Sequence, residues 1–227
     1  MARHTKESTL SQDPSSTAPS DGHDISDAAA ARLLRVIAFT IAACVVIIGG
    51  IAVTRWILAP SREEALEAVD IGFLQDMIDH HEQAIVIANT YLANNSEGDA
   101  APYAREVPMF QGFELERMDK WLSEAGLSRG APNRVAMTWM GMGTPVSMMP
   151  GMQTPERIAE LGAARGREAD RLFFEIMSEH HNGGVHMADF AAAYANKGDI
   201  REFAKKVSYN QRIEVVEYDL AVKRLGL

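Results

Sequence analysis

An uninterrupted apolar stretch is the clearest pattern along the chain. From Val36 to Val53, 18 residues carry no charge, and as an α-helix they span about 27 Å, close to the hydrocarbon thickness of a bilayer. Arginines lie on both sides, and Trp56 follows Arg55 at a position typical of the membrane interface. The pattern predicts a transmembrane anchor at residues 32–56.

The segments on the two sides of this anchor differ in composition. Residues 1–31 are rich in Ser, Asp, Ala, Thr and Pro. Because such a segment cannot bury enough apolar surface to offset the entropy lost on ordering, we predict that it is disordered. Arg32 and Arg35 lie directly at the membrane on this side, so the positive-inside bias makes it cytoplasmic. Residues 60–227 are then expected outside the cytoplasm, on a chain that crosses the cell membrane once.

The single cysteine, Cys44, lies within the apolar stretch. The residues Ile41-Ala42-Ala43-Cys44 resemble a bacterial lipoprotein processing site, but apolar residues continue after the cysteine and a cleaved signal is unusual so far into a chain. We favour an uncleaved anchor and leave lipidation of Cys44 open; either alternative exports the rest of the chain. One cysteine also excludes an internal disulfide framework and a four-thiolate zinc site.

The exported part contains a duplication. Shifting the chain by 100 residues aligns 70–127 with 170–227, and 16 of the 58 positions are identical. The identities place His-His on His-His and Gln-x-x-Glu on Gln-x-x-Glu in one frame. Chance does not produce this agreement, so the two segments are copies of one ancestral unit.

Each copy has the pattern of an antiparallel helix pair. Apolar residues recur at helical spacing on both sides of turns at residues 94–99 and 196–199. A break near residues 162–166 is expected in copy two, and no segment alternates clearly enough to predict a strand. We predict an all-α fold, a four-helix bundle of two duplicated hairpins (repeats 62–127 and 154–227) that follows a single transmembrane helix.

The segment between the copies, residues 128–153, has no helical periodicity. Half of the chain's 12 methionines lie within 16 of its residues, and they are Met137, Met140, Met142, Met148, Met149 and Met152. In a loop rich in Gly and Pro, such thioethers serve either as adaptable apolar filler or as metal ligands, and the sequence leaves both interpretations open.

Polar residues at helical positions form the second candidate group: His80, His81, His180, His181, Gln111, Glu114, Gln211 and Glu214. Because a helix turns about 100° per residue, one histidine of each pair continues the core stripe and its neighbour faces a flanking helix. Buried polar groups need partners, so each hairpin is expected to pair its histidines with its Gln and Glu. Such pairs either fix the helix register or surround a metal ion, and His186 is expected on the surface.

The chemistry of these residues narrows the choice of metal. Carboxylate-bridged di-iron bundles need Glu-x-x-His on two helices, and this spacing is absent because Met77, Ile78, Met177 and Ser178 precede the histidines. No His-Glu-x-x-His zinc motif appears either. Imidazole and thioether together suit copper, and thioether favours Cu(I). Because no nucleophile motif is present, we do not predict an enzyme.

Charge excludes one further class of partner. The net charge is −9, and it belongs entirely to residues 60–227, because the first 59 residues hold five basic and five acidic side chains. Nucleic-acid binding needs a basic patch, so we do not expect it.

The repeated motifs resemble the domain-of-unknown-function 305 family, a ferritin-like helical family of exported bacterial proteins. Its pattern is Asp-x-x-Phe, Met-x-x-His-His, Met-Ala, and Gln-x-x-Glu on the following helix, with a Met-rich joint like Met149-Pro150-Gly151-Met152. The resemblance covers residues 62–227. The matching positions are Asp70, Phe73, Met77, His80, His81, Gln111 and Glu114 in copy one, and Asp170, Phe173, Met177, His180, His181, Met187, Ala188, Gln211 and Glu214 in copy two. Copy one departs with Ile87 in place of Met, and copy two with Gly184 in place of Ala.

The resemblance implies a role in copper binding, because some members of this family serve in copper tolerance outside the cytoplasm. We therefore expect a membrane-anchored extracytoplasmic protein that binds or buffers copper, with the copy-two side as the better site. The expected ligands are Met77, His80, His81, Met148, Met149, Met152, Met177, His180, His181 and Met187, supported by Gln111, Glu114, Gln211 and Glu214. The alternative is a non-catalytic accessory subunit that docks on a membrane protein complex and whose histidines are structural.

Overall fold

The computed structural model describes residues 22–57 and 65–227, which divide into two units. The first contains helix α1 (Gly22–Ile57), which is 36 residues long. Its segment Ala28–Arg55 is long and apolar enough to cross a membrane, and its described side chains are exposed, as a lipid-facing helix requires.

The predicted disordered tail needs one correction. Helix α1 begins at Gly22, so residues 22–31 of that tail are helical, and only residues 1–21 lie outside the described range. The reason is local sequence: Ala28 to Ala31 are consecutive alanines, the best helix formers, and Asp24 lies in the first turn, where a negative charge favours a helix N-terminus.

The second unit is mostly helical, as predicted. Helix α2 packs against α3, and α5 against α6, to give the two predicted hairpins, which meet through α2 and α5. The short α4 contacts α2 and α5, and it is separated from α5 at the predicted break. The helices are α2 (Ala68–Asn95), α3 (Ala101–Glu124), α4 (Pro155–Ala163), α5 (Gly166–Tyr194) and α6 (Gly198–Leu225).

Each copy caps a helix of the other. The Oδ1 atom of Asp70 accepts a hydrogen bond of 3.1 Å from the backbone N–H of Lys197, directly before α6. In the matching position, Asp170 Oδ1 accepts one of 3.1 Å from Ala100, directly before α3. Both carboxylates are almost fully buried and satisfy backbone donors that would otherwise be orphaned at a helix start. This exchange explains why the aspartate is repeated in both copies.

The apolar core forms two clusters. One contains Phe73 and Met77 of α2 together with Met187 of α5. The other contains Tyr91 of α2 and Phe173 of α5. Along α2 and along α5, the histidine pairs occupy the positions between these clusters, so the two helices run antiparallel and carry their histidines at the crossing.

The linker folds in a way that the sequence did not predict. Two strands of two residues, β1 (Val135–Ala136) and β2 (Thr144–Pro145), pair in antiparallel fashion, and 3₁₀ turns occupy Thr138–Met140 and Val146–Met148. The prediction that no strand forms was therefore wrong. Strands of two residues are too short to show an alternating pattern. Their pairing depends on tertiary contacts, which the local sequence does not reveal.

One buried carboxylate holds the β1–β2 ribbon, the pair of short strands in the linker, against α2. The Oδ2 atom of Asp76 accepts hydrogen bonds of 2.7 Å from the backbone N–H of Met137 and from Trp139 Nε1. Its Oδ1 atom accepts one of 2.6 Å from Arg134. The three donors compensate for burying the charge, and they anchor the Met-rich segment to the helix that carries His80.

Candidate metal centre

The four repeated histidines form one cluster in the interior. All four are 0% exposed. The ring centroids of His80 and His180 lie only 3.8 Å apart, with their planes inclined by 40°, and the His180 and His181 centroids are 6.2 Å apart. The antiparallel crossing of α2 and α5 therefore merges the two predicted pairs into a single site.

The outer histidines face glutamates of the neighbouring helices, as expected. His81 Nε2 donates a hydrogen bond of 2.6 Å to Glu114 Oε2. His181 Nε2 lies 2.5 Å from Glu214 Oε2, but without the direction of a hydrogen bond. The glutamates are 19% and 27% exposed, so each spans from the buried imidazole to solvent.

The expected pairing of histidine with glutamine does not form. Gln111 and Gln211 are 4% and 3% exposed. Within the described residues, Gln111 Oε1 and both amide atoms of Gln211 have no hydrogen-bond partner. Buried amide atoms without partners are unusual in native proteins, so these three atoms add hydrogen-bonding capacity to the site that no described residue satisfies.

The inner histidines differ in their hydrogen bonds. His80 Nε2 lies 3.2 Å from the Pro150 carbonyl oxygen, and because a carbonyl only accepts, Nε2 carries the proton and Nδ1 the lone pair. His180 has no hydrogen-bond partner on either ring nitrogen among the described residues. The Nδ1 atoms of His81 and His181 are likewise buried and unpartnered there.

These orientations match those of metal-binding histidines. A ligating imidazole usually donates its second N–H to a carboxylate or a backbone carbonyl, which fixes the tautomer and points the other nitrogen at the metal. His81 has the carboxylate of Glu114 in that place, and His80 has the carbonyl of Pro150. Each buried nitrogen left without a partner costs about 1–3 kcal/mol, so several in one place make this cluster the candidate site.

Burial keeps the inner imidazoles neutral. The pKa of His80 is lowered to about 3, first by desolvation and next by the neighbouring His81. The pKa of His180 lies well below its usual value, first because of desolvation by burial and next because a proton on His180 would be repelled by one on the nearby His80. Neutral imidazoles have the lone pair that a metal ion needs, so no proton competes for these nitrogens at neutral pH.

The predicted methionine ligands divide among three environments. Met77, Met149 and Met187 are buried in the apolar cluster around Phe73, and Met152 packs against that cluster half-buried. Met177 belongs to the other cluster. Met148 is 70% exposed on the surface. The structure thus brings three thioethers into one buried cluster and leaves Met148 in solvent.

The linker lies directly on the copy-two helix beside the histidines. A Cβ atom on Gly183 would lie 2.0 Å from the carbonyl oxygen of Pro150, and one on Gly151 would lie 2.5 Å from that of His180. On the copy-one side, Gln83 exchanges two hydrogen bonds with the backbone of Gln153, of 2.7 and 2.9 Å. Linker backbone thus closely approaches α5 at Gly183, the side chain of Gln211 does so at Gly184, and His186 is exposed as expected.

Several residues that shape this site could not be identified from the sequence. Asp76 and Tyr91 escape the repeat comparison because Ile176 and Ala191 occupy the matching positions. The Pro150 carbonyl is a backbone atom, which no side-chain pattern reveals. Among the described residues, no three His, Cys, Asp or Glu side chains converge as a formed ligand set.

Comparison with known proteins places the chain in a family. The model of the domain-of-unknown-function family DUF305 matches residues 70–219, which include both helix pairs and the linker. The chain belongs to the DUF305 family. No curated protein sequence matches the chain.

Solved structures extend the comparison to the fold. A DUF305 protein of Streptomyces coelicolor, described as secreted, is 30% identical over 69% of this chain and 93% of its own, with a TM-score of 0.63. A DUF305 fragment from Deinococcus radiodurans is 22% identical over 71% and 99%, with a TM-score of 0.62. CopM in its Cu(I)-bound form is 20% identical over 69% and 96%, with a TM-score of 0.50.

Proposed function

We propose that this DUF305 protein binds copper, with Cu(I) preferred, and serves in copper buffering or copper tolerance outside the cytoplasm. The observation that carries the proposal is the buried cluster of neutral imidazoles whose nitrogens lack partners within the described chain. The proposal retains the ferritin-like four-helix bundle, anchored by α1, as the scaffold.

The donor set favours copper over the alternatives. Imidazole nitrogens supplied by His80 and His180 suit borderline metals. The thioethers of Met149 and Met187, buried in the adjoining apolar cluster, are soft donors that select Cu(I). Carboxylates contact the outer histidines rather than converging as a bridging pair, which argues against a di-iron centre.

The solved relatives are consistent with this role. CopM, which has this fold, has been solved with Cu(I) and with Cu(II) bound. At its level of identity the likeness supports the scaffold, and the assignment of copper to this chain rests on the chain's own donors. We further propose that the protein holds and releases the ion without converting a substrate, because the site residues form no nucleophile–base pair.

A competition titration tests the proposal. Full-length protein in detergent micelles is titrated anaerobically with Cu(I) against a chromogenic chelator, with circular dichroism to confirm folding. We expect binding tighter than micromolar and a loss of about 100-fold or more in the H80Q/H180Q variant, at the upper end of what residues around a metal contribute. H186Q, which changes an exposed histidine of the same helix, should bind like the wild type.

Two results would overturn the copper proposal. One is wild-type binding weaker than micromolar. The other is equal affinity in the wild type, in H80Q/H180Q and in a variant with the six linker methionines changed to leucine. H80Q/H180Q and H186Q separate the role of the buried imidazoles from that of an exposed histidine. The methionine variant separates the role of the thioethers from that of the imidazoles.

Docking on a membrane protein complex remains a second candidate. Exposed apolar side chains on α3 and α6 favour it, since Phe113 is 67%, Val216 57% and Phe110 51% exposed, and such patches often mark interaction sites. Affinity purification from solubilised membranes tests it. Recovery of the protein alone would remove this candidate, and a stoichiometric membrane partner would support it.

A further inference from the structure

A groove of about 230 Å³ separates α3 from α6 on the side of the unit where the outer glutamates reach solvent. Four carboxylates line it, and none of its described lining residues is basic. The acidic lining consists of Glu106, Glu114, Glu214 and Glu217. Four negative charges therefore lie close together where α3 and α6 face each other, with no basic residue among the described lining.

Two buried amides also line the groove. Gln111 and Gln211 are among its lining residues, are more than nine-tenths buried, and have amide oxygens with no hydrogen-bond partner within the described chain. Gly184 makes room for one of them, because a Cβ there would lie 2.2 Å from Gln211 Oε1. Unpartnered amide oxygens beside carboxylates are ligands for a cation.

The groove borders the histidine cluster through two shared glutamates. Glu114 and Glu214 line it, and the same carboxylates touch Nε2 of His81 and His181. On the linker side, the backbone of Pro150 and Gly151 covers His80 and packs against Gly183 with no space for a Cβ. The buried imidazoles therefore have an acidic groove on one side, separated from them by Glu114 and Glu214, and packed backbone on the other.

We propose that this groove captures hydrated divalent cations, Cu(II) among them, and is the route by which a metal ion reaches the buried histidines. The inference rests on the proposed function, because it supplies the entry path to that site. The rim carboxylates attract the ion, and the amide oxygens replace part of its hydration shell. Glu114 and Glu214 then act as positioning residues that swing between the ion and the imidazoles.

The physical basis is electrostatic focusing. A cleft lined by charges of one sign raises the local concentration and the association rate of an opposite ion by about 10- to 1,000-fold, and added salt screens the effect. Removing two rim charges should consequently slow association more than it changes the affinity of the buried site. The buried ligands set the dissociation rate, and the substitution leaves them intact.

Stopped-flow uptake of Cu(II) by the full-length protein in detergent tests the route, with quenching of tryptophan fluorescence as the signal. E106Q/E217Q changes two exposed rim residues that contact none of the four histidines. E116Q/E202Q removes the same charge from exposed positions of the same two helices outside the groove. We expect E106Q/E217Q to slow association about tenfold at low salt and to flatten its salt dependence. The control should match the wild type.

The outcomes separate the route from the function. If both variants take up Cu(II) at the wild-type rate, the route is wrong while copper binding stands. If both slow equally, the effect belongs to net charge and the groove is again wrong. If the wild type binds neither Cu(II) nor Cu(I), the proposed function fails and the route falls with it.

Discussion

The two copies of the hairpin use the same histidine pair in different surroundings. In copy one, Nε2 of His80 is fixed by the Pro150 carbonyl. In copy two, both ring nitrogens of His180 are without partners among the described residues, although the rings are only 3.8 Å apart. Duplication supplied two equal imidazoles, and the linker made them unequal by bonding to one and leaving the other available.

The residues three positions after the first histidine show how the linker breaks the symmetry. Copy one has Gln83, which binds the linker backbone at Gln153 through its side chain. Copy two has Gly183, which lets the backbone of Pro150 rest on the helix. On α2, the Gln83 side chain binds the linker through hydrogen bonds. On α5, the absence of a side chain at Gly183 leaves space for the linker backbone. The candidate site is therefore single and asymmetric, not two equivalent sites.

Among the substitutions that test this difference between the copies, those at the two adjacent glycines should have the largest effect on stability. In G183A, the new methyl group meets linker backbone at 2.0 Å, which cannot give way without moving the segment that covers His80. We expect a loss of about 3 kcal/mol in the free energy of unfolding. In G184A, which restores the alanine of copy one, the nearest atom is the movable end of Gln211, and we expect a change below about 1 kcal/mol. Urea denaturation of both variants measures the difference, and equal stabilities would contradict the packing of the linker on α5.

Acidification should act next, through the buried imidazoles. The pKa of His80 is lowered to about 3 in the folded protein, so between pH 6.5 and 3 the unfolded chain binds a proton that the folded chain does not. The contribution of the neutral imidazole to the free energy of unfolding is therefore fully present above about pH 6.5, and it is lost progressively as the pH drops. For His80 the loss is about 2 kcal/mol at pH 5.

Replacement of the inner histidines isolates this effect. H80Q and H180Q should each flatten the dependence of stability on pH over this window in metal-free protein, whereas H186Q should leave it as in the wild type. A decline of the same steepness in all four proteins would show that the inner histidines are not the groups responsible.

The smallest effect concerns the two capping aspartates. Tyr91 donates a hydrogen bond to Asp170, and Ala191 leaves Asp70 without a matching tyrosine. Burial, followed by the hydrogen bond to Asp170, raises the pKa of Tyr91 above its usual value. Y91F should cost about 1–2 kcal/mol of unfolding free energy. An unchanged denaturation midpoint would mean that the Ala100 N–H alone satisfies Asp170.

The helices and their pairing could be predicted because the information is local and repeated. Helical spacing around Phe73 and Met77, and the same frame around Phe173, define both hairpins. The meeting of His80 with His180 could not be predicted, because spacing within a helix does not reveal where two helices cross. The sequence therefore suggested two pairs where the structure has one cluster.

The linker was the least predictable part. Its ribbon depends on Asp76, a buried carboxylate outside the repeat, whose partners Arg134 and Met137 lie far along the chain. The methionine count identified the segment, but it did not separate buried Met149 from exposed Met148. Burial is decided by which backbone atoms approach α5, and the number of methionines in a segment does not reveal that approach.

Anomalous diffraction from crystals of the copper-loaded full-length protein tests the central claim most directly. We predict one peak at the copper edge within coordination distance of imidazole nitrogens of His80 and His180. A peak only beside the exposed Met148 and Met142 of the linker would contradict the account. The absence of any peak, together with no copper binding in solution, would contradict it as well.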